Sequence, residues 1–203
     1  MKYFHARFAV QVFVTLVVIM DPLGNVPIFL SLAGQATRAT QRRLAWQAVS
    51  VAGAVIAVFA AFGQQILSYL GITVPALQAS GGLLLLLVAL ELLTDRGEKP
   101  TSIDEVSVAL VPLGTPLIAG PGAIAATIVF ARQAHGVRDA SAIGVALVAT
   151  LVVLWLALRG SLLIVRVLRV GGIHVLTRVF GLLLSAIAVQ LVADGIRGFT
   201  RAG

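Results

Sequence analysis

Met20-Asp21-Pro22-Leu23-Gly24-Asn25-Val26-Pro27 puts a carboxylate, two prolines and a glycine into an otherwise apolar segment. Residues 8–20 precede it and residues 28–34 follow it. Neither flank is long enough to cross a bilayer, which takes about 20 apolar residues in a helix, but the two together are. Lys2 and Arg7 ahead of the apolar run, and the small residues around Ser31-Leu32-Ala33, imitate a secretory leader. The break at Asp21-Pro22 argues against a leader. So does a second interruption deep in the chain, Val111-Pro112-Leu113-Gly114-Thr115-Pro116-Leu117-Ile118-Ala119-Gly120-Pro121-Gly122. The first stretch therefore reads as a membrane span broken in its middle.

Composition sets the frame for that reading. Of 203 residues, 59% are hydrophobic and 11% charged, and mean hydropathy is +1.03. Soluble domains run near 45–50% apolar and about 25% charged, so the chain is an integral membrane protein. The longest polar run is residues 94–105, too short for a soluble domain, and residues 1–203 form a single transmembrane domain. The formal charge of +7 would suggest nucleic acid in a soluble protein. Here the basic residues lie between apolar spans, where they act as topology signals beside lipid headgroups, and no nucleic-acid partner is expected. There is no cysteine, and His5, His135 and His174 lack ligand spacing, so no metal site is expected. No hydrolase, metalloprotease or nucleotide-binding motif occurs, which argues against an enzyme and against ATP-driven transport.

The apolar pattern gives an all-α polytopic membrane protein of six transmembrane helices, at about residues 8–33, 44–67, 74–93, 106–131, 141–158 and 175–193. The first and fourth are the broken ones. Arg42-Arg43 precede the second span, and Trp46 is its interfacial anchor. Arg159, Arg166 and Arg169 between the last two spans share a helix face, as an interfacial helix or as an extension of the fifth span. Alternate inter-span segments carry six and nine Lys and Arg. The positive-inside rule puts the nine in the cytoplasm and both termini outside, in the periplasm of a Gram-negative cell.

The halves, about residues 1–95 and 104–203, resemble each other. Pro22-Leu23 and Pro27 match Pro116-Leu117 and Pro121, with the same proline spacing, and Gly82-Leu83-Leu84-Leu85 matches Gly181-Leu182-Leu183-Leu184. That register sets Glu91 opposite Gln190. Three spans per copy invert the second copy, which gives the inverted repeat common in secondary transporters.

Irregular backbone inside a bilayer is tolerated only where protein or a water-filled cavity covers it. Proline frees preceding carbonyls, which can hold a cation or accept from an amine. Each restarting helix offers free N–H groups and a positive dipole end to a carboxylate. Thr115 before Pro116 suits an N-cap, and Asn25 before Pro27 can act similarly. Gly24, Gly114, Gly120 and Gly122 permit close approach. Asp21 is the sharpest residue: a mid-span carboxylate is costly and usually marks an ion or substrate path. It serves as coupling-ion ligand, proton carrier or partner of a substrate ammonium, or it caps the broken helix, and these roles are compatible. Glu91 and Asp194 lie near span ends, Asp194 has Arg197 three residues on, and Gln190, Gln78 and Ser80 can bond across helices. Gly53 and Gly81-Gly82 suit close packing.

At these breaks the sequence resembles the MarC family of bacterial inner-membrane proteins, also described as a six-span neutral amino acid transporter family. Asp21-Pro22-Leu23-Gly24-Asn25-Val26-Pro27-Ile28-Phe29 is similar to its first-span signature and Pro116-Leu117-Ile118-Ala119-Gly120-Pro121-Gly122-Ala123-Ile124 to its fourth. Ser80-Gly81-Gly82 and Asp194-Gly195-Ile196 also look like family positions. The resemblance implies six spans, an outside amino terminus and, from some members, transport of small neutral amino acids such as glycine and alanine. The expectation is an H+- or Na+-coupled symporter with no other cofactor. Asp21 takes the coupling ion or the substrate amine. Asn25, Thr115 and the backbone of Gly120-Pro121-Gly122, with Gly24, hold the carboxylate. Glu91, Gln190 and Asp194 are secondary candidates. Alternating access comes from one half rocking against the other. A passive channel, an exporter of another small solute and a non-transporting assembly partner are the alternatives, and a homo-oligomer is compatible with the sequence.

Overall fold

The interruption at residues 21–24 divides the first span into two helices that do not share a ladder. α1 is Lys2–Met20 and α2 is Asn25–Ala33, followed by α3, Arg38–Tyr69, α4, Val74–Thr94, α5, Pro121–Gln133, α6, Val137–Arg159, and α7, Ser161–Ala202. This computed structural model describes residues 2–33, 36–94, 119–134 and 136–202, and among them all regular structure is helical.

Four stretches are long and apolar enough to cross a membrane: Arg38–Tyr69, Val74–Thr94, Val137–Arg159 and Val175–Thr200. These are the unbroken spans expected from the sequence. The apolar part of α1, Arg7–Met20, is shorter than a span. At 1.5 Å per residue it covers about 21 Å and α2 about 13 Å, so only both together match hydrocarbon about 30 Å thick. Residues 106–118, the first part of the expected fourth span, lie outside the described residues, and α5 is its second part.

Two boundaries differ from the sequence reading. α3 begins at Arg38, before Arg42-Arg43, because Thr37 caps it with Oγ1 accepting from the Thr40 amide at 3.3 Å. Its 32 residues reach about 48 Å, so its basic first turns extend beyond the hydrocarbon. Residues 161–174 are neither a separate interfacial helix nor part of the fifth span; they are the start of α7. α6 stops at Gly160, whose amide reaches Leu156 O and Leu158 O, and the helix restarts at Ser161 without proline or a polar run to stop it. The 42 residues of α7 reach about 63 Å, twice the hydrocarbon thickness.

The helices assemble around two cores. α1, α2, α3, α5 and α6 share the larger one, in which Leu16, Met20, Phe29, Ile56, Ala123 and Leu154 are buried. α4 lies along α7 over a second core of Leu85, Ala89, Leu184, Ala188 and Leu191, joined by Val18 of α1. This pairing needs glycine. A Cβ on Gly82 would stand 2.7 Å from Ala188 O, and one on Gly195 2.8 Å from Pro75 O. Small residues let membrane helices approach to backbone contact, where dispersion and weak polar contacts hold them. The outer surface is an apolar belt, with Leu83, Leu87 and Val88 of α4, Val148 of α6 and Leu182 and Val189 of α7 exposed, as lipid contact requires.

Candidate functional site

α1 ends in a regular bond from Asp21 N to Val17 O at 3.0 Å. Pro22 has no amide to continue the ladder and its ring would press on the preceding turn. The chain turns at Asp21, which adopts φ +38°, a left-handed conformation uncommon outside glycine and most accessible to Asp and Asn. Pro27 sits in the first turn of α2, where a missing N–H costs nothing.

The break is held together by its own polar side chains. Asp21 is buried, and its Oδ1 accepts the Gly24 amide at 3.0 Å. The capping role weighed for Asp21 is thus present. Gly24 is required for it, since a Cβ there would overlap the Asp21 carboxylate. Asn25 is buried as well. Its Nδ2 donates to Met20 O at 2.7 Å and to Asp21 O at 2.9 Å, closing two of the carbonyls that the end of α1 leaves open. These two acceptors fix the orientation of the amide, because the flipped form would set oxygen against oxygen. Asn25 Oδ1 is then a buried acceptor with no donor, one of two such unpartnered side-chain atoms among the described residues, with Trp155 Nε1. The sequence reading has Asn25 holding a carboxylate. Its donor is already engaged, and its open atom is an oxygen, suited to an ammonium, a cation or water.

The expected second break is described only where α5 begins. Thr115, with residues 111–118, lies outside the described residues. Gly120 is the N-cap of α5, with no side-chain bond to the first turn, and Pro121 follows at the start of the helix. Gly122 lies against Leu85 of α4, where a Cβ would overlap that side chain. Ala119 and Ala123 belong to the same contiguous core as Met20 and Phe29, so the described edges of both breaks border one packed region.

Two of the secondary candidates bond to each other within α7. Gln190 Nε2 donates to Asp194 Oδ1 at 3.0 Å, and Arg197 pairs with the same oxygen at 3.5 Å, all on α7. This is the local pair expected at Asp194. Glu91 lies on α4, with its side chain outside the described atoms. Thr127 and Thr150 are buried on α5 and α6, but each hydroxyl bonds the carbonyl four residues back.

One site was read in the sequence only as topology signals. A cavity of about 250 Å³ lies where the start of α3 meets the junction of α6 and α7. Arg38, Gln41 and Arg42 line it from α3, Arg159 from α6, and Leu162, Leu163 and Arg166 from α7. Trp155, one turn before Arg159, lies under that guanidinium at 4.9 Å and edge-on to Trp46 at 6.4 Å. The signal was present as clustered arginines, but not the convergence of two segments more than 100 residues apart.

Comparison with known proteins covers the whole architecture. Residues 6–200 match the description MarC family integral membrane protein. The UPF0056 membrane protein MJ1677 of Methanocaldococcus jannaschii is 34% identical, with 95% of this chain and 97% of that protein covered. YhcE of Escherichia coli is 30% identical, over 92% of this chain and 90% of its own length. YvbG of Bacillus subtilis is 30% identical, over 94% and 95%. No solved structure gives a significant match. The match runs through all seven described helices, and the chain belongs to the MarC family of integral membrane proteins.

Proposed function

We propose that this protein is a secondary transporter of small neutral amino acids, glycine- or alanine-like, coupled to H+ or Na+. It works as six spans in two inverted halves in the inner membrane, with both termini outside. The observation that carries the reading is the first break, in which a left-handed Asp21 and a buried, donorless Asn25 Oδ1 occupy the gap between two half-helices. A scaffold gains nothing from a broken span, a strained residue and an orphaned acceptor, whereas a translocation site uses all three.

The packing supports the inverted repeat. If α1 with α2 corresponds to the span ending in α5, α3 to α6 and α4 to α7, contacts should recur in exchanged pairs. α1 against α6 has its counterpart in α3 against α5, and α4 against α5 in α2 against α7. The convergence of the start of α3 with the end of α6 at one cavity agrees with their shared cytoplasmic assignment. The site polarity differs from the sequence expectation: Asn25 Oδ1 receives the ammonium or cation, and the uncapped first turn of α5 at Gly120–Gly122 faces the carboxylate.

Purified protein in proteoliposomes, tested with labelled glycine and alanine under imposed H+ or Na+ gradients, decides the matter. Gradient-dependent uptake is expected. Asp21→Asn is the informative variant, because Asn tolerates the left-handed backbone and keeps an oxygen for the Gly24 amide while losing the charge. It should insert normally and lose flux or its ion dependence. Wild-type flux with unchanged ion dependence refutes the coupling role of Asp21. Flux without gradient coupling points to a passive facilitator.

A further inference from the structure

Apart from the breaks, the polar feature with most structure around it is the cavity at the junction of α6 and α7. Four arginines, Arg38, Arg42, Arg159 and Arg166, line a space of about 250 Å³, with no acidic side chain among its lining residues. Elsewhere Arg197 pairs with Asp194 at 3.5 Å, which shows what a balanced surface arginine in this fold looks like. Bringing four guanidinium groups around one space without a carboxylate raises their mutual repulsion unless an anion enters.

We infer that this cavity binds a phosphate group, carried by an anionic phospholipid of the cytoplasmic leaflet. Planar guanidinium groups match phosphate oxygens in pairs, and a cluster of them is the recurrent recognition device for phosphate. The lipid source follows from what borders the cations. Leu162 and Leu163 line the same space and are 45% and 62% exposed, an apolar ledge where a free anion needs none. Trp46, 63% exposed, stands on the neighbouring turn of α3 against Trp155. An indole at that depth marks the headgroup layer, so the cavity opens where lipid phosphates lie. Basic pockets between spans on the cytoplasmic side are suited to anionic headgroups. The bound headgroup joins α3 to the α6–α7 junction, three elements whose basic ends otherwise repel.

The test uses the full chain in neutral detergent. Thermal unfolding is followed while phosphatidylglycerol, phosphatidylcholine or inorganic phosphate is titrated, with native mass spectrometry counting retained lipid. Phosphatidylglycerol should raise the midpoint and remain bound, and phosphatidylcholine should do so far less. Arg42→Gln with Arg166→Gln should lose that shift and the retained lipid. Arg197→Gln, which removes charge outside the cavity, should keep both. A shift with inorganic phosphate that the paired variant loses assigns the same site to a free anion in place of a lipid. An equal response to both lipids, or a paired variant that responds like the wild type, overturns the inference. Retained lipid on the wild type provides a reading that does not depend on the variants folding.

Discussion

Asn25→Leu separates the two ends of one amide. Leucine shares the branched skeleton of asparagine and can continue α2, but its methyl groups are larger than the amide atoms they replace, which adds about 1–3 kcal/mol of overpacking. It removes the bonds to Met20 O at 2.7 Å and Asp21 O at 2.9 Å. Asp21 O keeps the Asn25 amide at 3.1 Å, so one carbonyl, Met20 O, is left bare. A bare buried acceptor costs about 1–3 kcal/mol and a lost but compensated bond about 0.5–1.5 kcal/mol. The substitution also removes the donorless Oδ1, which relieves about 1–3 kcal/mol of the same kind. The hydrogen-bond terms nearly cancel, and with the overpacking the unliganded variant should be less stable than the wild type by about 1–5 kcal/mol. Ligand changes the comparison. A ligand bound to the wild type at ten times its Kd stabilises by about 1.4 kcal/mol, and a variant lacking the acceptor should show none of this. Unfolding in detergent, with and without Na+ and glycine, measures both numbers. A ligand-free loss above about 6 kcal/mol means that Oδ1 was not an unsatisfied atom. A variant stabilised by ligand as much as the wild type means that Oδ1 does not contact the ligand. Either result refutes the argument.

Gly24→Ala should break the cap, because its methyl would overlap the Asp21 carboxylate; we expect a loss of about 1–3 kcal/mol, read as a lower unfolding midpoint together with reduced flux. Gly82→Val presses on backbone, Ala188 O at 2.7 Å from the first added carbon, and should cost about 2 kcal/mol or more by separating α4 from α7. Gly144→Ala on α6 meets open space and, with alanine favoured in a helix by up to about 1 kcal/mol, should match or exceed the wild type in the same assay.

The four continuous spans were legible because about 20 apolar residues leave little choice of structure in lipid. The first break was legible because Asp21, Pro22 and Pro27 each carry a definite backbone consequence. Gly53 and Gly82 were read as packing residues, and both face neighbouring helices too closely for a side chain. The start of α7 was hidden because Arg159, Arg166 and Arg169 lower local hydropathy and imitate a connection, although nothing in residues 161–174 stops a helix. The orientation of Asn25 was illegible for a different reason. An amide is donor and acceptor at once, and only the positions of Met20 O and Asp21 O decide which end is engaged. The arginine cavity depends on tertiary convergence, which no local pattern encodes.

The division of the packing also changes which bodies can move. The sequence repeat suggests one half rocking against the other, yet the principal contacts run between halves: α4 lies on α7, α1 on α6 and α3 on α5. Rocking the halves would strip nearly all of that packing. The two cores divide the molecule instead into a bundle of α1, α2, α3, α5 and α6 and a separate α4–α7 pair, each drawn from both halves. Gliding of the pair over the bundle, past Val18 of α1 and Gly122 of α5, keeps the bundle core and the α4–α7 seam and exchanges only the contact of Val18 with that seam. Two disulfides distinguish these motions, in a chain free of native cysteine. A Cβ on Gly195 lies 3.1 Å from Ala79 Cβ, and one on Gly63 lies 3.7 Å from Ile128 Cβ. Disulfides need about 3.5–4.5 Å between Cβ atoms, so the second pair fits, and the first needs α4 and α7 to part slightly, because a Cβ at Gly195 also meets Pro75 O and Ala79 N at 2.8 Å. Ala79→Cys with Gly195→Cys locks α4 to α7, and Gly63→Cys with Ile128→Cys locks α3 to α5. Both cross between the sequence halves, and neither crosses between the packing bodies. Oxidised proteins should therefore transport at nearly the rate of their reduced forms. If oxidation stops flux in both and reduction restores it, the halves are the moving bodies and the division by cores is wrong.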